Sequence, residues 1–291
     1  MNDQQKSYLA VAFDMDGTIL NNDHKLTQET IIALRKLTTK AIVIIATGRS
    51  VPSICPYLKE LNLNQNVVYC VGYNGSGIYK YEIDKNDNEM EFLASFPLSP
   101  DNVRCLSVLA EETHTVLQCY NAETGTVSVF PSNDEHEKLC ERYEKLVGRR
   151  QTRISSYDEI LGASSAKCLV LTNDPDSLIE KANATLPKDT FHIIKGSPWP
   201  FFVEFLPLNV SKGSALKVIL EEHLGFGMDR LISFGDGDND IEMLEQSGIG
   251  FAMLNANDNV KSSAKKVTRY TNDDNGVAKE IEELTLSGIF D

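Results

Sequence analysis

The chain has 291 residues, 42% of them hydrophobic and 24% charged, the composition of a folded globular protein with room for one large domain or two of ordinary size. Its formal net charge of -14 would repel phosphodiester backbones and anionic lipid, and no basic cluster interrupts the acidic background, so nucleic acid and membrane are not expected partners. A small anionic substrate would need positive charge supplied locally, by a metal ion or a well-placed Lys or Arg.

The six cysteines are scattered, form no CxxC pair and read as reduced core thiols, and the five histidines lack the spacing of a zinc site. The N-terminus lacks a charged start followed by an apolar stretch, and no apolar run approaches membrane-spanning length. A cytoplasmic protein is therefore expected.

In chain order, residues 8–13 read as a buried strand and 27–38 as a helix with Ile31, Ile32, Leu34 and Leu37 on one face. A second apolar strand over 41–46 ends at Thr47-Gly48-Arg49, and Pro52 suits the first turn of a helix reaching Leu61. An apolar strand over 67–71 precedes the glycine-rich turn GYNGSG. Strands apolar on both faces and alternating with helices predict a doubly wound α/β domain with a parallel sheet. After Asp84 the pattern changes: a polar run, a strand near Phe92, a helix over 101–112, a hairpin around NAETG, a charged helix over 134–146, and a strand and helix over 167–185. The strands FHII and PFFVEFL close this block, which reads as an inserted α+β domain over 85–206. The first pattern then resumes, with an amphipathic helix over 212–224, a strand over 230–235, a helix ending at Gly248, the strand GIGFAM and a last helix after Gly276. The core is thus expected over 1–84 and 207–291.

In a doubly wound sheet ligands bind beyond the carboxyl ends of the strands. The residues at those ends are Asp14-Met15-Asp16-Gly17-Thr18, Thr47-Gly48-Arg49, Ser211-Lys212-Gly213 and Gly235-Asp236-Gly237-Asp238-Asn239-Asp240. Each alone has a plainer explanation: a DxDG turn serves as a solvated bend or helix cap, TGR as helix-start chemistry, Lys212 as a surface lysine. A calcium loop at GDGDND fails, because Ile241 stands where its glycine is needed and Ser247 where its glutamate is needed. Jointly the four stretches argue otherwise. Asp14, Asp16 and Asp236 at neighbouring strand ends would repel one another without a cation, and such hard oxygen ligands select Mg²⁺. Thr47 and Lys212, each at a helix start, suit a phosphoryl group.

The motifs DMDGT, ATGR, VSKGSAL and GDGDND, in this order and spacing, resemble those of the haloacid dehalogenase superfamily of aspartate-nucleophile phosphatases. The insert, the Asn74-Gly75 turn and NGVA near the C-terminus resemble its Cof-type sugar phosphatase branch, except that NGS replaces the usual NGA. The resemblance implies a Rossmann-like core with an inserted α+β cap, and hydrolysis of small phosphorylated metabolites through an aspartyl-phosphate. By that similarity Asp14 is the nucleophile and Asp16 the general acid and base. Asp14, the main-chain carbonyl of Asp16, and Asp236 hold Mg²⁺, with Asp240 acting through water or by orienting Lys212. Thr47, Gly48, Lys212, Asn239 and the backbone near Met15 hold the phosphoryl group. The cap would then select substrate. Trp199 offers either a sugar-facing aromatic or a packed Pro-flanked loop, and Lys195 and Arg153 either substrate contacts or exposed charges. A phosphomutase or phosphotransferase using the same intermediate remains open, as does a non-catalytic phospholigand-binding regulator; a receiver-type domain is too short to accommodate the insert.

Overall fold

In the computed structural model, which describes residues 7–83, 90–196 and 201–291, the first strand β1 (Ala10–Phe13) is buried along its whole length. Helix α1 (Gln28–Leu37) follows, started by the Thr27 side chain accepting from the Thr30 N–H and with Arg35 and Lys36 in the last turn, where they complement the helix dipole. It buries Ile31, Leu34 and Leu37 at helical spacing. Ile32, expected on that face, is 49% exposed, because one step of about 100° turns it away from Ile31.

Strand β2 (Ile42–Ala46), helix α2 (Val51–Leu61) and strand β3 (Val67–Gly72) come next. The chain then reverses at Tyr73-Asn74-Gly75 into β4 (Gly77–Glu82), paired antiparallel to β3 with Gly72 opposite Gly77. So tight a turn can only return the strand antiparallel, and the sheet is mixed where a parallel one was expected. Strand β5 (Met90–Ser95) forms its edge.

Helix α3 (Pro100–Glu112), opened by a reciprocal Ser99–Asn102 capping box, leads into β6 (Val116–Tyr120), β7 (Val127–Val129), helix α4 (Asp134–Val147) and β8 (Thr152–Arg153). Strand β9 (Lys167–Leu171), helix α5 (Pro175–Thr185), β10 (Phe191–Lys195) and β11 (Phe202–Pro207) complete a six-stranded sheet of order β10-β11-β9-β6-β7-β8. Alternation divides its faces. Leu117, Cys119, Cys168, Val170, Val203 and Phe205 join one apolar core with Leu106 of α3 and Leu178 of α5. On the alternate strand positions, Lys167 pairs with Glu204, and the Tyr120 hydroxyl meets that of Tyr143 from α4 at 2.8 Å.

Helix α6 (Lys212–Val218) continues as a π-type segment over Ile219–Leu224 and stops at Gly225, whose φ is +78°. Strand β12 (Leu231–Gly235), helix α7 (Ile241–Gln246), β13 (Ile249–Ala252), α8 (Asp258–Ser263), β14 (Lys266–Val267) and α9 (Gly276–Leu286) follow. The larger sheet has the order β14-β13-β12-β1-β2-β3-β4-β5, parallel from β14 to β3. The chain divides into Met1–Ala94 with Ser211–Asp291, and Ser95–Val210. The strand near Phe92 therefore belongs to the larger sheet, and the divisions fall beyond the expected 84/85 and 206/207. The polar run 84–89 and Trp199 lie outside the described residues.

What positions the strand ends is a row of rings. Phe13 pairs in register with Phe234, and Phe234 with Phe251, on three adjacent parallel strands. Their rings stack at 5.3 and 4.7 Å. Each stacked pair is worth about 0.5–1.5 kcal/mol beyond the area it buries, and a slip of one residue would send the rings to opposite faces. The ladder thus holds the ends of β1 and β12 level. Replacing the fully buried middle ring, Phe234→Ala, is expected to cost about 3–5 kcal/mol in urea unfolding of the full chain, whereas Ile32→Ala should stay within about 0.5 kcal/mol of the parent. Equal effects would contradict the ladder.

Candidate active site

Chain order reverses across β1, with β2 and β3 on one side and β12 and β13 on the other, which is the topological switch point where doubly wound sheets bind ligands. Asp14 follows β1 directly, and its N–H donates to the Phe234 carbonyl at 2.9 Å, continuing the ladder. The residue is 5% exposed. Opposite it, Ser211 caps α6 in a reciprocal box with Ser214, so Lys212 enters at the first helical position with its side chain wholly buried. Gly213 lets α6 approach α7: a Cβ there would lie 3.1 Å from the Glu242 carbonyl carbon.

Lys212 Nζ donates to Asp14 Oδ1 at 2.5 Å and to Asp240 Oδ1 at 2.6 Å. Burial alone would discharge the amine, but these two carboxylates hold it protonated above its ordinary pKa. Asp240 Oδ2 accepts from the N–H groups of Asp236 and Gly237, both at 3.0 Å. Asp240 therefore ties the turn after β12 to Lys212, and both of its oxygens are engaged.

Carboxylate oxygens of Asp14, Asp236 and Asp240 lie within 4.8 Å of one another. Burial raises the Asp14 carboxyl well above the usual carboxylate range; Lys212 opposes this, and the Asp240 and Asp236 charges reinforce it. Burial, then Asp240, pushes Asp236 up to about 7. One ammonium does not balance three carboxylates in this space, and a proton or a cation must make up the difference. The donor set is all hard oxygen, which fits Mg²⁺. Asp236 is further held by Thr18 Oγ1 at 3.4 Å and by Asn255 Nδ2 at 3.4 Å, and Asn255 also donates to the Gly17 carbonyl at 2.9 Å. Gly17 has φ +74°, and a Cβ on it would lie 2.2 Å from Asp236 Oδ2, so only glycine lets the loop pass this carboxylate.

Asp16 points elsewhere. Arg49 forks it, Nε to Oδ2 at 2.6 Å and Nη2 to Oδ1 at 2.5 Å, and His24 Nδ1 lies 3.0 Å from Oδ1. Arg49 Nη1 also donates to the Tyr57 hydroxyl, which donates to the His24 carbonyl, closing a ring of four residues. Burial would raise Asp16, but the Arg49 bonds and charge outweigh it and hold the carboxyl below its ordinary value. Two carboxylates two residues apart thus receive opposite shifts.

Thr47 is buried; its Oγ1 accepts from the Arg49 N–H at 3.2 Å and its carbonyl accepts from the Asn74 N–H at 3.1 Å. Asn239 Nδ2 donates to Asn74 Oδ1 at 2.9 Å, and a Cβ on Gly48 would come 2.8 Å from that same oxygen. The structure therefore gathers Asp14, Lys212, Asp236 and Asp240 into one cluster, and Thr47, Gly48 and Asn239 around Asn74. Asp16 contributes no carboxylate to the acidic cluster. Arg49, Tyr57, His24 and Asn255 had no role assigned from sequence; of these only Arg49, within TGR, carried a local signal. Lys195 pairs with Asp176 at 2.6 Å and Arg153 with Glu137 and Glu144, so both are committed to ion pairs.

A family profile described as haloacid dehalogenase-like hydrolase matches residues 11–281. The Bacillus subtilis protein YxeH, which carries a provisional phosphatase designation, is 30% identical over 284 residues, covering 96% of this chain and 99% of its own. The 5-amino-6-(5-phospho-D-ribitylamino)uracil phosphatase YitU of Bacillus subtilis is 29% identical, with 96% and 98% covered. A solved structure described as the subclass IIB sugar phosphatase BT4131 shares the fold, with a TM-score of 0.74 at 23% identity over 97% of this chain and 99% of that one. The chain belongs to the haloacid dehalogenase-like hydrolases, in their Cof-type branch, and is a phosphoric monoester hydrolase.

Proposed function

We propose that the protein is a Mg²⁺-dependent phosphatase of small phosphate monoesters, with sugar phosphates as its substrate class, working through an aspartyl-phosphate. The observation that carries this reading is the buried Asp14–Lys212–Asp240 cluster beside Asp236. An ion pair this deeply buried is expensive to maintain for stability alone, and it places a carboxylate and an ammonium at the switch point of the sheet.

Asp14 Oδ1 is held by Lys212, which leaves Oδ2 as the attacking oxygen. Asp14, the Asp16 carbonyl and Asp236 would hold Mg²⁺, while Asp240 orients Lys212. Bound Mg²⁺ would supply the positive charge that lets a carboxylate approach a phosphate dianion. Lys212, Thr47, Gly48 and Asn239 hold the transferred phosphoryl group, and positioning with charge neutralisation is most of what such a transfer needs. Asp16, kept ionised by Arg49 and His24, is in the form that takes a proton from water to hydrolyse the intermediate. Donating to the leaving oxygen requires the Arg49 fork to open.

Phosphate release from a panel of sugar phosphates, nucleotides and cofactor phosphates, with Mg²⁺ and with chelator, tests the reading; no release from any of them with metal present would overturn it. Asp14→Asn should lower turnover by about a thousandfold or more while leaving the circular dichroism and melting temperature near wild type, and retained turnover would contradict the nucleophile assignment. Gly17→Ala should weaken Mg²⁺ binding in calorimetry, because its methyl displaces Asp236.

The raised Asp236 gives a pH dependence with a definite sign. In the metal-free protein the folded state binds more protons than the unfolded state between the ordinary carboxylate pKa and about 7, so the Asp236 contribution to stability is lost as pH rises through about 7. Mg²⁺ binds the ionised form. Its gain in melting temperature should therefore be larger at about pH 8 than at about pH 5.5, and a gain that is equal or reversed would count against Asp236 as a ligand.

A further inference from the structure

Tyr73, Asn74 and Gly75 have successive φ values of +52°, +57° and +110°. Two of these residues carry side chains, and Tyr73 lacks the short polar group that eases an asparagine into that region. The chain holds this turn while contacting three loops at once. The Tyr73 N–H donates to the Arg49 carbonyl and the Asn74 N–H to the Thr47 carbonyl, both at 3.1 Å. A Cβ on Gly75 would lie 2.2 Å from the Ser211 carbonyl oxygen, so the turn is seated directly on the start of α6, next to Lys212. The third contact is the amide pair, Asn239 Nδ2 to Asn74 Oδ1.

We propose that Asn74 is a positioning residue for the phosphoryl group, acting through Asn239; the inference rests on the phosphatase reading above. Asn239 is exposed and sits in the short turn Asp238–Asp240, where an amide with no tether would sample several rotamers. Asn74 Oδ1 can only accept, so the bond turns the Asn239 NH₂ group toward it and leaves the second N–H of that group to donate to an anionic oxygen. Because the Asn74 backbone is itself bound to Thr47, the orientation of Asn239 is referred to the loop that holds Thr47 and Gly48. Phosphate-holding groups from two separate loops are thereby set against one another by a single residue, through its backbone on one side and its side chain on the other.

The test uses Asn74→Gly, which removes the amide and keeps a residue at ease with positive φ. With inorganic phosphate and Mg²⁺ as the probe in calorimetry, Asn74→Gly and Asn239→Ala should each bind phosphate about tenfold more weakly than wild type, and the double variant no more weakly than Asn239→Ala alone. The melting temperature of Asn74→Gly should not fall, whereas a purely structural role would lower it. Wild-type affinity in Asn74→Gly, an unaffected Asn239→Ala, or full additivity in the double variant would each overturn the inference while leaving the phosphatase reading intact. A wild-type chain that releases no phosphate from any ester would overturn both.

Discussion

The charge of Lys212 is the constraint on which the rest depends. A fully buried ammonium is tolerated only because Asp14 and Asp240 reach it from β1 and from the turn after β12, and removing both partners would leave its charge in the core without compensation. The pair therefore specifies more than a contact. It requires the ends of β1 and β12 and the start of α6 to meet at one point, and the Phe13–Phe234–Phe251 row supplies the register that lets them. Asp240 adds rigidity by accepting two backbone N–H groups of its own turn, so the ammonium is aimed by the fold and does not select its own orientation.

Against that fixed centre, the two aspartates of the first loop are separated by environment. Asp14 lies in the buried acidic group, while Asp16 has a side chain 43% exposed and is forked by Arg49. Separating two neighbouring carboxylates in this way lets one backbone turn present two different chemical species. Gly17 makes the separation possible, because the chain must pass within van der Waals distance of Asp236 on its way out.

The parts of this arrangement that were legible from sequence are those with a local signal. The apolar runs of β1, β2 and β12 announce buried strands, and polar residues just beyond them mark the strand ends that carry Asp14, Thr47 and Asp236. The β3–β4 reversal was not legible, since nothing about a tyrosine announces φ of +52°; only the fitted turn imposes it. Short elements such as β14 and α8 offer too few residues for a period to emerge. His24 and Tyr57 meet Asp16 and Arg49 at a separation of eight residues that matches neither helix nor strand period across a loop, Asn255 acts through a partner remote in sequence, and no spacing rule encodes such meetings. Asn255 reaches Gly17 across 238 positions.

That last separation has a consequence for how the chain reaches its folded state. β1 is synthesised before one of its two neighbours, β12, and before the lysine that neutralises Asp14, both of which arrive about two hundred residues later, after the whole of Ser95–Val210. Until then the row of rings is incomplete and one edge of β1 is unpaired, a state open to association with other chains. Ser95–Val210 is continuous in sequence and can fold from the nascent chain, whereas the first unit must wait for Ser211–Asp291. The Asp14–Lys212–Asp240 cluster is then among the last features to form, and a chain interrupted before residue 212 carries the acidic loop without its counter-charge.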